Sequence, residues 1–257
     1  HNSAYGKEPI RTLEELSKKH EYELSLLPVD HPGQEQKSQW LQIRREKPDY
    51  VLMWGWGVMN QVAIQEAANI RYPMENFIGV WWSGSENDVL PAGDKANGYK
   101  ALAFHNVGSD FPIFDDIKKY VVDTGKAAGA GDQIGTVLYN RGMYNALLLT
   151  EAAKTAQALT GKSAISQGDM IKGMEALEIT EDKMAALGLP GFGPSFKVSC
   201  ENHGGDGMVG VAQWDAGAGK WSLISGYASS DMSVLQPLID ADSGSFASEN
   251  NLTPNCN

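Results

Sequence analysis

Residues 49–64 read DYVLMWGWGVMNQVAI: an apolar run from Asp49 to Trp54, glycines at 55 and 57 on either side of Trp56, and then a helical period. A short apolar run, a glycine-bearing turn and a helix in that order make the opening of a βαβ unit. The same alternation continues on both sides. Upstream, residues 7–20 carry Ile10, Leu13 and Leu16 at helix spacing, Tyr22, Leu24 and Leu26 alternate as a strand does, and residues 34–47 return to helix with Trp40, Leu41 and Ile43. Downstream, residues 58–71 predict a helix with Val62, Ile64 and Ala67 inward, and residues 76–81 and 99–104 predict two more apolar strands. Strands that are apolar throughout and separated by helices are what a parallel sheet covered on both faces requires. The expectation is an α/β lobe with a doubly wound parallel sheet.

Beyond His105 the pattern changes. Residues 111–125, 134–160 and 167–177 read as helices with hardly a strand between them, so they need a sheet this chain does not supply. Short strands return at 196–199, 208–214 and 220–225, the last two joined by a glycine-rich hairpin turn. The Ser-, Asp- and Asn-rich tail from Asp240 is expected on the surface.

The chain has 257 residues with 21 basic and 32 acidic side chains, a net charge of -11. Nucleic acid is excluded as a main partner, because phosphate binding needs a basic face that displaces counterions. No apolar run approaches the roughly 20 residues that span a bilayer, so no direct membrane insertion is expected. The opening His1 on a polar segment suggests a processed chain or a fragment. Two cysteines, Cys200 and Cys256, fit one disulfide in an oxidising compartment; two unrelated thiols are the other reading.

Four of the seven tryptophans fall in two places, Trp54 and Trp56, and Trp81 and Trp82. Each place is the carboxyl end of a predicted parallel strand, where open α/β sheets bind ligands. Ser83, Ser85 and Asn60 add polar partners, and the helix starting near Val58 offers free N–H groups. By contrast, the chain has no Gly-x-Ser-x-Gly elbow, no His-Glu-x-x-His and no phosphate loop. The glycines at 205, 207 and 210 match a dinucleotide pattern but precede a strand instead of following one. No catalytic residue, metal site or cofactor is expected, and His20 and His31 read as solvated.

The segment His1-Asn2-Ser3-Ala4-Tyr5-Gly6 before a helix, then Lys47-Pro48-Asp49-Tyr50-Val51, Phe77-Ile78-Gly79 and Gly98-Tyr99, resembles the second lobe of periplasmic solute-binding proteins of the leucine/isoleucine/valine-binding type. The resemblance implies the type I periplasmic binding protein fold: two doubly wound lobes joined by three crossovers, closing on a ligand by a hinge. Residues 1–107 and 205–257 would form the second lobe, and 108–204 part of the first, whose opening half has no counterpart here. The resemblance further implies non-catalytic capture of a small solute for an ABC transporter permease, in the periplasm or on a lipid anchor. It places ligand contacts on Tyr5 and Trp56 and makes Arg141 an anchor for a carboxylate. Amino-acid binders of this family carry an acid where this chain has Trp81, which points to an aromatic or hydrophobic carboxylate, or a related amide. Branched-chain amino acids are the second choice, and an α/β enzyme using the same crevice is the third.

Overall fold

The computed structural model describes residues 1–129, 131–253 and 256. The chain divides into two compact units, residues 1–101 with 229–257, and residues 102–228.

The first unit opens with α1 (Ala4–Lys7), capped by the Ser3 hydroxyl, which accepts from the Gly6 N–H, and α2 (Ile10–His20). The predicted strand at 22–26 does not form. Tyr22 and Leu26 are both exposed, and alternation makes a strand only where a neighbouring strand takes up its backbone groups. α3 (Lys37–Glu46) buries Trp40 and Ile43. Then follow β1 (Val51–Met53), α4 (Val58–Asn69), β2 (Phe77–Gly79), α5 (Glu86–Val89) and β3 (Lys100–Ala103). β1 and β2 are parallel, with Val51 opposite Phe77 and Met53 opposite Gly79; β2 and β3 are parallel, with Gly79 opposite Ala101. The expected parallel α/β arrangement is therefore present. α4 packs Met59, Ala63, Ile64 and Ala67 into the core beside Phe77, Val80, Val89 and Tyr99.

The second unit carries α6 (Pro112–Ile117), which widens into a π-helical turn over Lys118–Val122, then α7 (Val137–Thr160) and α8 (Gln167–Glu175). α7 and α8 touch closely at Gly173, where a Cβ would lie 2.3 Å from the Ala152 carbonyl oxygen. β4 (Glu178–Ile179) and β5 (Phe196–Lys197) flank α9 (Glu181–Ala186) and pair antiparallel. β6 (Gly210–Asp215) and β7 (Lys220–Leu223) form the expected hairpin, with Trp214 opposite Trp221 and both buried. The core gathers Phe111, Phe114, Tyr144, Ile179, Leu189 and Phe192. Leu138, Leu149 and Leu159 on α7 and Ile171 and Met174 on α8 remain exposed, as the shortage of strands beside these helices predicts.

The chain returns to the first unit with α10 (Met232–Glu249), held to α2 by ion pairs Arg11–Asp242 and Lys19–Asp231. The tail beyond Asp240 is thus helical on its way out, where only an exposed segment was expected; it lies on the surface as a helix. Cys200 and Cys256 are disulfide-bonded.

Candidate ligand-binding site

The indoles at the strand ends separate from those of the core. Trp40, Trp214 and Trp221 are at most 4% exposed, whereas Trp56 and Trp82 are 42% and 43% exposed, and Trp54 and Trp81 are half-buried. After β1 the chain turns through Gly57, whose φ of 60° suits glycine and carries it into α4. This turn leaves Trp56 facing out. Tyr5 lies flat on it, ring centroids 5.0 Å apart at 8°, and Trp54 stands 6.3 Å from Tyr5 at 40°. The His1 ring borders Trp56 at 5.4 Å, and His31 meets His1 edge-on at 5.6 Å. Burial, helped by nearby Glu8, pushes the Tyr5 hydroxyl up to about 12, so it stays protonated.

After β2, residues Trp81–Ser83 form one 3₁₀ turn on which the indoles of Trp81 and Trp82 stack at 4.2 Å. A buried polar network ties this turn to the one after β1. The Ser83 hydroxyl lies 2.9 Å from the Gly55 carbonyl oxygen and 3.1 Å from Asn60 Oδ1. Asn60 Nδ2 donates to the Trp82 carbonyl and to Asp88 Oδ1, both at 3.0 Å. Asp88 Oδ2 accepts from the Ser85 N–H and hydroxyl, and the Tyr99 hydroxyl donates to the Ser83 carbonyl at 2.8 Å. Ser83 and Asn60 are fully buried, so their polar groups serve the loops and not the surface. Asp88 escaped the sequence reading, although the Ser85-x-x-Asp88 spacing is that of a helix capping box.

Arg141 belongs to the other unit. It lies on α7, 8% exposed, with its guanidinium carbon 5.2 Å from the Phe104 ring centroid. Its neighbour His105 is buried and stacks on Phe192 at 5.4 Å. Burial lowers the His105 pKa to about 4, with the Arg141 charge contributing. His105 is therefore a neutral core residue.

A cavity of about 280 Å³ lined by Gln65, Asn69, Pro91, Ala92 and Lys95 lies apart from the aromatic rings, without an aromatic wall of its own. Glu175, Cys200 and His203 bring ligating-type atoms within 4.8 Å of one another, but the Cys200 sulfur is already in the disulfide. Residues 203–206 form a turn before β6, as the context of Gly205 predicted.

The profile of a family described as "Periplasmic binding protein" matches residues 1–220. The chain belongs to the periplasmic binding protein family. Among solved structures, an ABC transporter permease from the Pseudomonas fluorescens group, as its description reads, is 40% identical, with a TM-score of 0.93 over 100% of this chain and 62% of that one. A branched-chain amino acid ABC transporter from Thermus thermophilus with bound valine is 16% identical (TM-score 0.69, 90% of this chain, 59% of that one). A solute-binding protein of an ABC transporter from R. palustris, in complex with benzoate, is 17% identical (TM-score 0.61, 90% and 58%). The last two share the fold alone. No curated protein matches in sequence. This periplasmic binding protein chain spans about three fifths of the length of these neighbours. Among its described residues no helix is long and apolar enough to cross a membrane.

Proposed function

We propose that the protein captures a small organic solute without changing it chemically and delivers it to the permease of an ABC transporter outside the cytoplasm. The ligand is an aromatic or hydrophobic carboxylate, or a related amide. The observation that carries this reading is the exposure of Trp56, flat against Tyr5, at the end of a parallel strand, while the core tryptophans are closed off. Residues Tyr5, Trp54, Trp56, Trp81 and Trp82 form the aromatic wall, and Ser83 holds two of its turns together.

Magnitudes favour an apolar body with a polar end. Burying about 150 Å² against indole rings yields roughly 4 kcal/mol. Micromolar binding needs about 8. Charge-assisted hydrogen bonds at roughly 1.5–3 kcal/mol each make up the difference. Sequence similarity to the leucine/isoleucine/valine-binding type, with Trp81 in the place of the ammonium-binding acid, supports an acid lacking an α-ammonium group.

The test is tryptophan emission and thermal shift of the intact protein against benzoate, phenylacetate, their amides and leucine, with each compound recovered and analysed. Aromatic acids or amides should shift the emission, raise the melting temperature and return unaltered. A response to leucine alone would replace the aromatic ligand by a branched-chain amino acid. Turnover of any compound would overturn capture.

A further inference from the structure

The polar atoms of the aromatic wall say more about the ligand than its rings do. The Tyr5 hydroxyl and the Trp54 indole Nε1 are both buried, and neither has a hydrogen-bond partner among the described residues. Elsewhere in the same unit such atoms are paired. Trp40 Nε1 donates to Gln36 Oε1 at 3.2 Å, the Tyr72 hydroxyl to the Pro48 carbonyl at 3.1 Å, and the Tyr99 hydroxyl to the Ser83 carbonyl. Folded proteins pair nearly all buried donors, so two unpaired ones on neighbouring rings mark a place where something else accepts.

Resting on the ligand reading above, we infer that the ligand carries an oxygen acceptor, held by the Tyr5 hydroxyl and the Trp54 indole N–H while its apolar body lies on Trp56. An indole nitrogen donates and never accepts, so a group facing Trp54 Nε1 must be an acceptor. Tyr5 remains a donor too, because burial keeps its hydroxyl protonated. The Tyr5 and Trp54 rings are neighbours, with centroids 6.3 Å apart at 40°, and Trp56, on which Tyr5 stacks, keeps 42% of its surface exposed. Both donors are neutral, so a carboxylate and an uncharged carbonyl share the chemistry and are told apart by experiment.

The probes are benzoate, benzamide, leucine and the acceptor-free toluene, added to intact protein labelled with ¹⁵N-tryptophan. Indole signals are assigned through the tryptophan variants that fold. Expected is a downfield shift of the Trp54 N–H with the oxygen-bearing probes that bind, and a loss of about five- to tenfold in their affinity in Tyr5→Phe and in Trp54→Phe, each of which keeps an aromatic ring. Toluene binding should be unchanged. A larger effect on benzoate than on benzamide assigns the site to a carboxylate, the reverse to an uncharged carbonyl. If Trp54→Phe fails to fold, the wild-type N–H shift and Tyr5→Phe carry the test. Binding that perturbs Trp56 but leaves the Trp54 N–H and both variants' affinities unchanged overturns the donor pair while the capture reading stands. No binding of any oxygen-bearing probe overturns both, and binding of leucine alone, with the N–H shift and the losses in the variants, upholds the donor pair and removes the aromatic ligand.

Discussion

Replacing Asn60 with alanine should loosen both tryptophan-bearing turns at once. Its side-chain amide donates to the Trp82 carbonyl and to Asp88, each at 3.0 Å, and its Oδ1 lies 3.1 Å from the Ser83 hydroxyl. The residue is fully buried, so water does not take over these bonds. One neutral hydrogen bond contributes about 1 kcal/mol and one to an ionised group about 1.5–3, giving roughly 3 kcal/mol for the change. For a protein of this size that corresponds to a fall in melting temperature of about 6–12 °C. The isosteric Asn60→Asp separates hydrogen bonding from volume. It fills the same space but replaces a donor by a second carboxylate facing Asp88, and should destabilise at pH 7 at least as much. Calorimetry of the intact protein and tryptophan-monitored ligand titration read the two consequences, unfolding and loss of the aligned rings. Melting temperatures of both variants within about 2 °C of wild type, with unchanged affinity, would refute the claim that this network holds the turns.

Further expectations concern the disulfide and acid. Reducing Cys200–Cys256, or replacing both cysteines by serine, releases a closed loop spanning 200–256 and should lower stability by up to about 4 kcal/mol; an unchanged urea midpoint with and without reductant would contradict this. His105, held neutral by burial with a pKa near 4, binds fewer protons folded than unfolded between about pH 6.5 and 4. Stability should therefore fall as pH drops through that window, by about 3 kcal/mol at most, and an imidazole NMR titration near 6.5 would contradict burial. Below it, the hydrogen bond from Lys162 holds the Asp169 carboxyl well under the usual carboxylate range, and that from Lys19 holds Asp231 near 2. Their contribution is present above about pH 4 and lost as pH falls through these lowered values, which urea midpoints measured from pH 5 to 2 should follow.

Much of the architecture is legible in local pattern. Residues 51–53, 77–79 and 101–103 carry no charged or polar side chain and belong to strands that pair in parallel, and helices lie between them because parallel strands need a crossover. The same logic failed at 22–26, where the alternation is present but no partner strand lies alongside. It also missed α10, whose tail sequence looks like a loop yet docks on α2 through Arg11–Asp242 and Lys19–Asp231, pairs more than two hundred residues apart. No local rule reaches that far.

The candidate site divides in the same way. Periodicity alone put Trp54, Trp56, Trp81 and Trp82 at strand ends, since it depends on quantities counted along the chain. Which side chains turn inward there was decided in three dimensions. Ser83 and Asn60, hydrophilic and adjacent to the indoles in sequence, are drawn into the interior by the Gly55 carbonyl, the Trp82 carbonyl and Asp88, while the larger apolar rings of Trp56 and Trp82 face out. Arg141 and His105 are likewise buried by Phe104 and Phe192, contacts that join separate parts of the chain. A side chain's direction at the end of a strand follows from the partners that non-local packing brings to it, and those partners exist only once the chain has folded.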